Sequence, residues 1–167
     1  MEKRFGSPKR QDGLMKVGRN KYDLFFGFGK ENEEDTSGWN YYHRFTHRPT
    51  LDEIKAVINR QIDADTDETI LHGMTWEGKP VKLDSESQTN LLGLLLSAQG
   101  GMATFPKKYK LGDYPDGSAA YHEFADATEF IAFVSAAIAH KDNAYAKGWN
   151  EKEALEKSNW SAFTINE

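Results

Sequence analysis

The chain has 167 residues, 38% of them hydrophobic and 13% aromatic, and a net charge of −5. That length fits one domain, or one domain with a short arm. The acidic balance argues against a general nucleic-acid binder, which needs a basic face to displace counterions. With no cysteine in the sequence, disulfide frameworks, thiolate zinc sites and cysteine nucleophiles are excluded.

The first residues, MEKRFGSPKRQDG, read as an arm over 1–14, either a frayed terminus or an extension that docks on a neighbouring subunit. Basic residues flank a turn, only Phe5 offers an apolar anchor, and no apolar core follows as a secretory signal requires. Lys9 and Arg10 belong to this arm. Tyr22, Leu24, Phe26 and Phe28 then alternate with a period of two, as do Trp39, Tyr41, His43 and Phe45. The acidic stretch Lys30 to Gly38 between them reads as the solvated loop of a β-hairpin. Tyr42 should point away from Tyr41, so this strand carries aromatics on both faces.

Thr50 and Glu53 form a capping box, in which the hydroxyl accepts from a free N–H and the carboxylate reaches back. Leu51, Ile54, Val57, Ile58 and Ile62 follow on one helical face, and the helix should fade between Asp63 and Glu68. A second hairpin is expected from Ile70 to Leu83, turning at Glu77-Gly-Lys79. Ser85 and Gln88 read as another capping box. The leucines at 91, 92, 94, 95 and 96 cover most of the next helix, which predicts burial on several sides. Gly100 and Gly101 stop it.

Phe105, Lys107, Tyr109 and Leu111 suggest a strand, and Ala120, His122 and Phe124 its partner, joined by a turn at Asp113 to Gly117. Asp126 and Glu129 cap a last helix with Phe130, Phe133, Val134, Ala137 and Ile138 on one face, continuing to Tyr145 and Trp149. Gly148 is expected to bend or break it. The order is ββ-α-ββ-α-ββ-α, an α+β fold with antiparallel hairpins. It forms a single domain over 15–158 and leaves an aromatic tail over 159–167.

Motifs for chemistry are incomplete. The five histidines do not share a helix at metal-ligand spacing, and His43 and His47 stand about 13 Å apart along a strand. Asp63, Asp65 and Asp67 begin like a calcium loop, but Glu68 and Met74 replace its glycine and its bidentate glutamate. Gly27 and Gly29 lack the third glycine of a phosphate loop. No pair of carboxylates stands out as a glycosidase would need. No catalytic residue, cofactor or metal is therefore assigned. The residues that resemble binding equipment are Phe5, Lys9 and Arg10 in the arm, Trp39 and Tyr42 on the strand, and Trp160, Phe163 and Ile165 in the tail, which either fold back or anchor on a neighbour.

The segments RFTHRPTLDEIKAVI, DETILHGMTWEGKPVKLDSESQTNL and YHEFADATEFIAFVSAAIAHKDNAYAKGWNEKEAL carry a resemblance over roughly 15–157. Its marks are Gly73, Trp76 and Gly78 in the hairpin, Leu83, Glu86, Gln88 and Asn90 at the helix start, and Gly148-Trp149. The chain resembles small proteins of phages and prophages, especially those of gut Bacteroidetes. It is also similar to a domain-of-unknown-function family found in phage tail-fibre and tail-assembly proteins. The resemblance implies a non-enzymatic structural part of a bacteriophage particle: a tail adaptor, collar or fibre-attachment piece. It implies contacts with other virion proteins and with copies of itself, a place in the virion, and the host cytoplasm during assembly. An assembly chaperone is the alternative, and a phage-borne hydrolase a more distant one. No nucleic-acid partner and no membrane insertion are expected.

Overall fold

The computed structural model describes residues 1–164. They form an α+β protein with three α-helices and eight strands in antiparallel sheets. The chain separates into two compact units, one of Met1–Asp63 with Lys152–Glu167, the other of Ala64–Glu151.

In the first unit, β1 (Glu2–Ser7), β2 (Gly13–Gly18), β3 (Lys21–Gly29) and β4 (Gly38–Phe45) make one sheet in the order β1-β4-β3-β2. The supposed arm is therefore folded: β1 pairs with β4 along one edge, and β2 pairs with β3 along the other. The connection between them is pinned from the sheet. The Gln11 N–H donates to Asn40 Oδ1 at 2.7 Å, and the Gly27 N–H donates to Asp12 Oδ1 at 2.9 Å. Asn40 is almost fully buried, so its amide is committed to this task. One sheet face supplies Leu14, Tyr22, Leu24 and Phe45, which pack with Ile54, Val57, Ile58 and Ile62 of α1 (Leu51–His72) into a core.

The capping box at Thr50 forms as expected. The Glu53 N–H donates to Thr50 Oγ1, and Thr50 N donates to Glu53 Oε2 at 2.7 Å. The helix does not fade at Asp63 but runs to His72. Its acidic residues at 63, 67 and 68 stand on the exposed side while Ile62 and Ile70 stay buried. An acidic run on the solvent side of a helix costs it little.

In the second unit, β5 (Met74–Trp76) and β6 (Lys79–Val81) form the hairpin, closed by Glu77 and Gly78 at positive φ, the two-residue turn that matches strand twist. β7 (Lys107–Asp113) and β8 (Ala119–Phe124) form the other. The helix α2 (Ser85–Gln99) is capped one residue earlier than the sequence suggests: Asp84 accepts from the Ser87 N–H at 2.7 Å. The helix α3 (Ala127–Glu156) continues unbroken past Gly148, where a side chain would meet Thr66 Oγ1. The core gathers Leu111, Phe124, Phe130, Phe133 and Val134, with Trp76 edge-on to Phe133 at 5.3 Å.

Candidate interaction surfaces

The α2 leucines are not buried on several sides. Leu91 and Ala98 are the buried residues of the helix, while Leu92 is 55% and Leu96 60% exposed. On α3, Ile138 is also open, at 52%. Between the two helices lies a cleft of about 520 Å³ whose walls include Leu92, Leu95, Val134, Ala137 and Ile138. Its polar end is built. Lys141 Nζ donates to Gln88 Oε1 at 2.7 Å, and Gln88 Nε2 donates onward to the Leu83 carbonyl at 2.7 Å. This chain of donors fixes one end and leaves the rest apolar, a surface suited to apolar side chains rather than to a charged ligand.

The second locus surrounds His122, a residue that sequence spacing gives no reason to select. The imidazole is buried. Nε2 lies 2.7 Å from Glu129 Oε1, and Nδ1 lies 3.0 Å from Lys79 Nζ and 3.6 Å from Glu77 Oε2. Each ring nitrogen thus has a polar partner within hydrogen-bond distance. Glu129 also accepts from the Ala125 N–H at 2.7 Å. That bond, and then the one with His122, hold its carboxyl below the usual range. The carboxylates of Glu77 and Glu129 and a His122 nitrogen lie within 4.8 Å of one another. Both ring nitrogens already have protein partners, so the cluster's evident work is to tie β6 and β8 to the start of α3.

The third locus is the other face of the first unit's sheet. Asp23 is almost fully buried there beneath Arg44, Tyr42 and Arg4. Arg44 donates from Nε and Nη2 to the two Asp23 oxygens, at 2.7 and 2.8 Å. These bonds hold the carboxyl below its ordinary value against the opposing effect of burial, and raise the guanidinium's pKa further. Arg4 stands 3.8 Å from the same carboxylate and lies over the Tyr42 ring at 4.8 Å.

The residues selected from sequence fall in several places. Phe5 is 58% exposed on the edge strand β1. Lys9 and Arg10 are exposed in the pinned connection, Arg10 paired with Asp12 at 2.7 Å. Trp39 and Tyr42 are half-buried. The Trp39 ring lies 4.8 Å from Tyr41 and carries Lys3 Nζ 4.2 Å from its centroid, so intramolecular contacts already hold it. The Tyr42 hydroxyl donates to Asp23 Oδ1 at 3.2 Å.

The tail folds back. Trp160–Phe163 make a 3-10 turn, with Phe163 buried in the first unit's core and Trp160 half-buried against it. Phe163 joins Leu14 and Leu155 there, which takes its ring out of water. Ile165 lies outside the described residues.

Among the described residues, no helix is long and apolar enough to cross a membrane. No curated protein and no solved structure matches this chain. A family model does match, over residues 53–166, and it spans all of α2, the cleft and the His122 cluster. The chain belongs to the family defined by the domain of unknown function DUF4376.

Proposed function

We propose that this chain is a structural component of a bacteriophage particle, associated with the tail as an adaptor, collar or fibre-attachment piece, and that it works through protein–protein contacts. The observation that carries the reading is the cleft between α2 and α3. Leu92 and Ile138 are left open on its walls, and Leu96 is exposed on the same helix as Leu92. An apolar surface of this kind on a small domain favours a protein partner whose own apolar side chains fill it. The resemblance of the sequence to small phage proteins supplies the setting: the virion, and the host cytoplasm while it is assembled.

The test is mass spectrometry of purified particles from a phage or prophage that encodes the chain. The expected result is a constant copy number per particle, lost when Leu92 and Ile138 are both replaced by lysine although the variant still folds. Particles complete without the protein would overturn the structural role. If they nevertheless failed to form when the gene was deleted, the chain would be an assembly chaperone instead.

A further inference from the structure

We propose that the first unit associates with a second copy of itself head to tail, the β3–β4 loop of one copy docking on the β2–β3 turn of the next. The inference concerns a different surface from the α2–α3 cleft and does not depend on the particle reading.

The two partners sit at opposite ends of one hairpin. Residues 30–37 connect β3 to β4 and carry Glu31, Glu33 and Glu34, all exposed, with Lys30 at the loop's start donating to the Glu33 carbonyl at 3.4 Å. Local bonds shape the loop: the Asn32 N–H donates to Asp35 Oδ2 at 3.0 Å, and the Asp35 N–H to the Asn32 carbonyl at 3.2 Å. At the other end, Lys16, Arg19 and Lys21 surround the turn between β2 and β3, again all exposed. Among the described residues, none of these six side chains has an ion-pair partner.

The separation explains why the charges do not neutralise one another within a copy. β3 spans nine residues, which at strand rise puts its ends about 26 Å apart. That is several Debye lengths at physiological salt, about 8 Å each. Contact between copies is the arrangement that brings the two ends together. The sequence concentrates the asymmetry: Lys3, Arg4, Lys9, Arg10, Lys16, Arg19 and Lys21 precede the loop, against Glu2, Asp12 and Asp23, in a chain of net charge −5. Lys9 and Arg10 flank the acidic end, but Arg10 is already held by Asp12. The contact joins two different surfaces, so it is heterologous and builds rings or open rows rather than a closed pair.

Sedimentation velocity of the full chain at about 20 mM and about 500 mM salt tests the proposal. The wild type should exceed the monomer mass at low salt and return to it at high salt. Glu33→Lys with Glu34→Lys, and separately Arg19→Glu with Lys21→Glu, should each be monomeric at low salt, with circular dichroism unchanged. An equal mixture of the two variants has opposite ends reversed. One variant then offers two basic ends and the other two acidic ends, so the mixture should associate again. A wild type that stays monomeric at low salt would overturn the proposal. So would association that persists at high salt, or a mixture that does not recover it. Binding of a short DNA duplex that is lost in the Arg19 and Lys21 variant, without self-association in the wild type, would overturn it in favour of a nucleic-acid surface.

Discussion

Arg44 occupies both oxygens of Asp23, with Nε 2.7 Å from Oδ1 and Nη2 2.8 Å from Oδ2. The pair lies across β3 and β4, on positions directly opposite in the register. It leaves Arg4 as a second guanidinium over Tyr42 without a carboxylate of its own. Among the described residues, Asp23 is the carboxylate within ion-pair distance of both Arg44 and Arg4, so its removal leaves two cations facing each other.

Asp23→Asn should therefore destabilise the protein by on the order of 1 kcal/mol at neutral pH, the scale of a charged hydrogen bond rather than a dry ion pair. The sign of its pH dependence follows from the depressed carboxyl pKa. The contribution is fully present above the unfolded value of about 3.9, and it is lost as pH falls through the lower folded value. Denaturant melts from pH 7 down to pH 2 should show the two proteins converging at the acid end. A constant gap would mean that Asp23 acts through packing and not through its charge.

Asp84 gives a second acid-sensitive point. The Ser87 N–H at the start of α2, followed by the Ser87 hydroxyl and then Lys82, holds its carboxyl at about 2. Asp84→Ala should lower the melting temperature at every pH above 4 and match the wild type as pH falls through about 2. Asp84→Asn should keep much of the cap but lose the pH dependence. If the alanine variant melts with the wild type at pH 7, the cap is redundant.

Phe163 tests the folded-back tail. The ring is buried among Leu14, Leu155 and their neighbours, and the turn that carries it lies close against β2, where a side chain on Gly13 would come 2.8 Å from the Ala162 carbonyl oxygen. Phe163→Ala should cost about 3 kcal/mol, as for other buried aromatics. Ending the chain at Asn159 should cost at least as much. A free anchor for a neighbour would instead be lost without effect on the isolated protein's melting.

Much of this fold is legible in the sequence where one periodicity dominates. The alternation of Tyr22, Leu24 and Phe26 and of Trp39, Tyr41 and His43 gives β3 and β4. The Glu77-Gly78 turn gives the β5–β6 hairpin. Strand β1 is harder to see because an edge strand carries charge on both sides: Lys3 and Arg4 guard its open edge and erase the alternation. The extension of α1 is hidden by the acidic run, although the i+4 row of Ile54, Ile58, Ile62, Thr66 and Ile70 continues through it. Of the loci described here, the leucines of the cleft are conspicuous in the sequence, but counting them overstates burial because it cannot say how many neighbours a helix has. The His122 cluster is drawn from β5–β6, β8 and α3, a meeting that no local spacing announces.

Gly148 is explained by that same row. It faces Thr66, so a methyl group at 148 should clash with Oγ1 even though alanine is the better helix former by about 1 kcal/mol. Gly148→Ala alone should lower the melting temperature. Combined with Thr66→Ala, it should recover and exceed the Thr66→Ala single variant. Independent, additive effects in that double-mutant cycle would show that the two residues do not press on each other.

Neighbouring leucines on α2 should behave in opposite ways. Leu91 is 4% exposed and packs into the second unit's core, whereas Leu92, one residue on, is 55% exposed at the mouth of the cleft. Leu91→Ala should cost about 2–4 kcal/mol, since it removes buried carbon and leaves a void. Leu92→Lys should change stability by no more than about 0.5 kcal/mol, and it should raise solubility by breaking the open apolar surface. Paired denaturant melts and a precipitation curve measure both effects. Equal destabilisation by the two changes would mean that α2 is packed on both sides, and that the cleft is part of the core rather than a surface kept open for a partner.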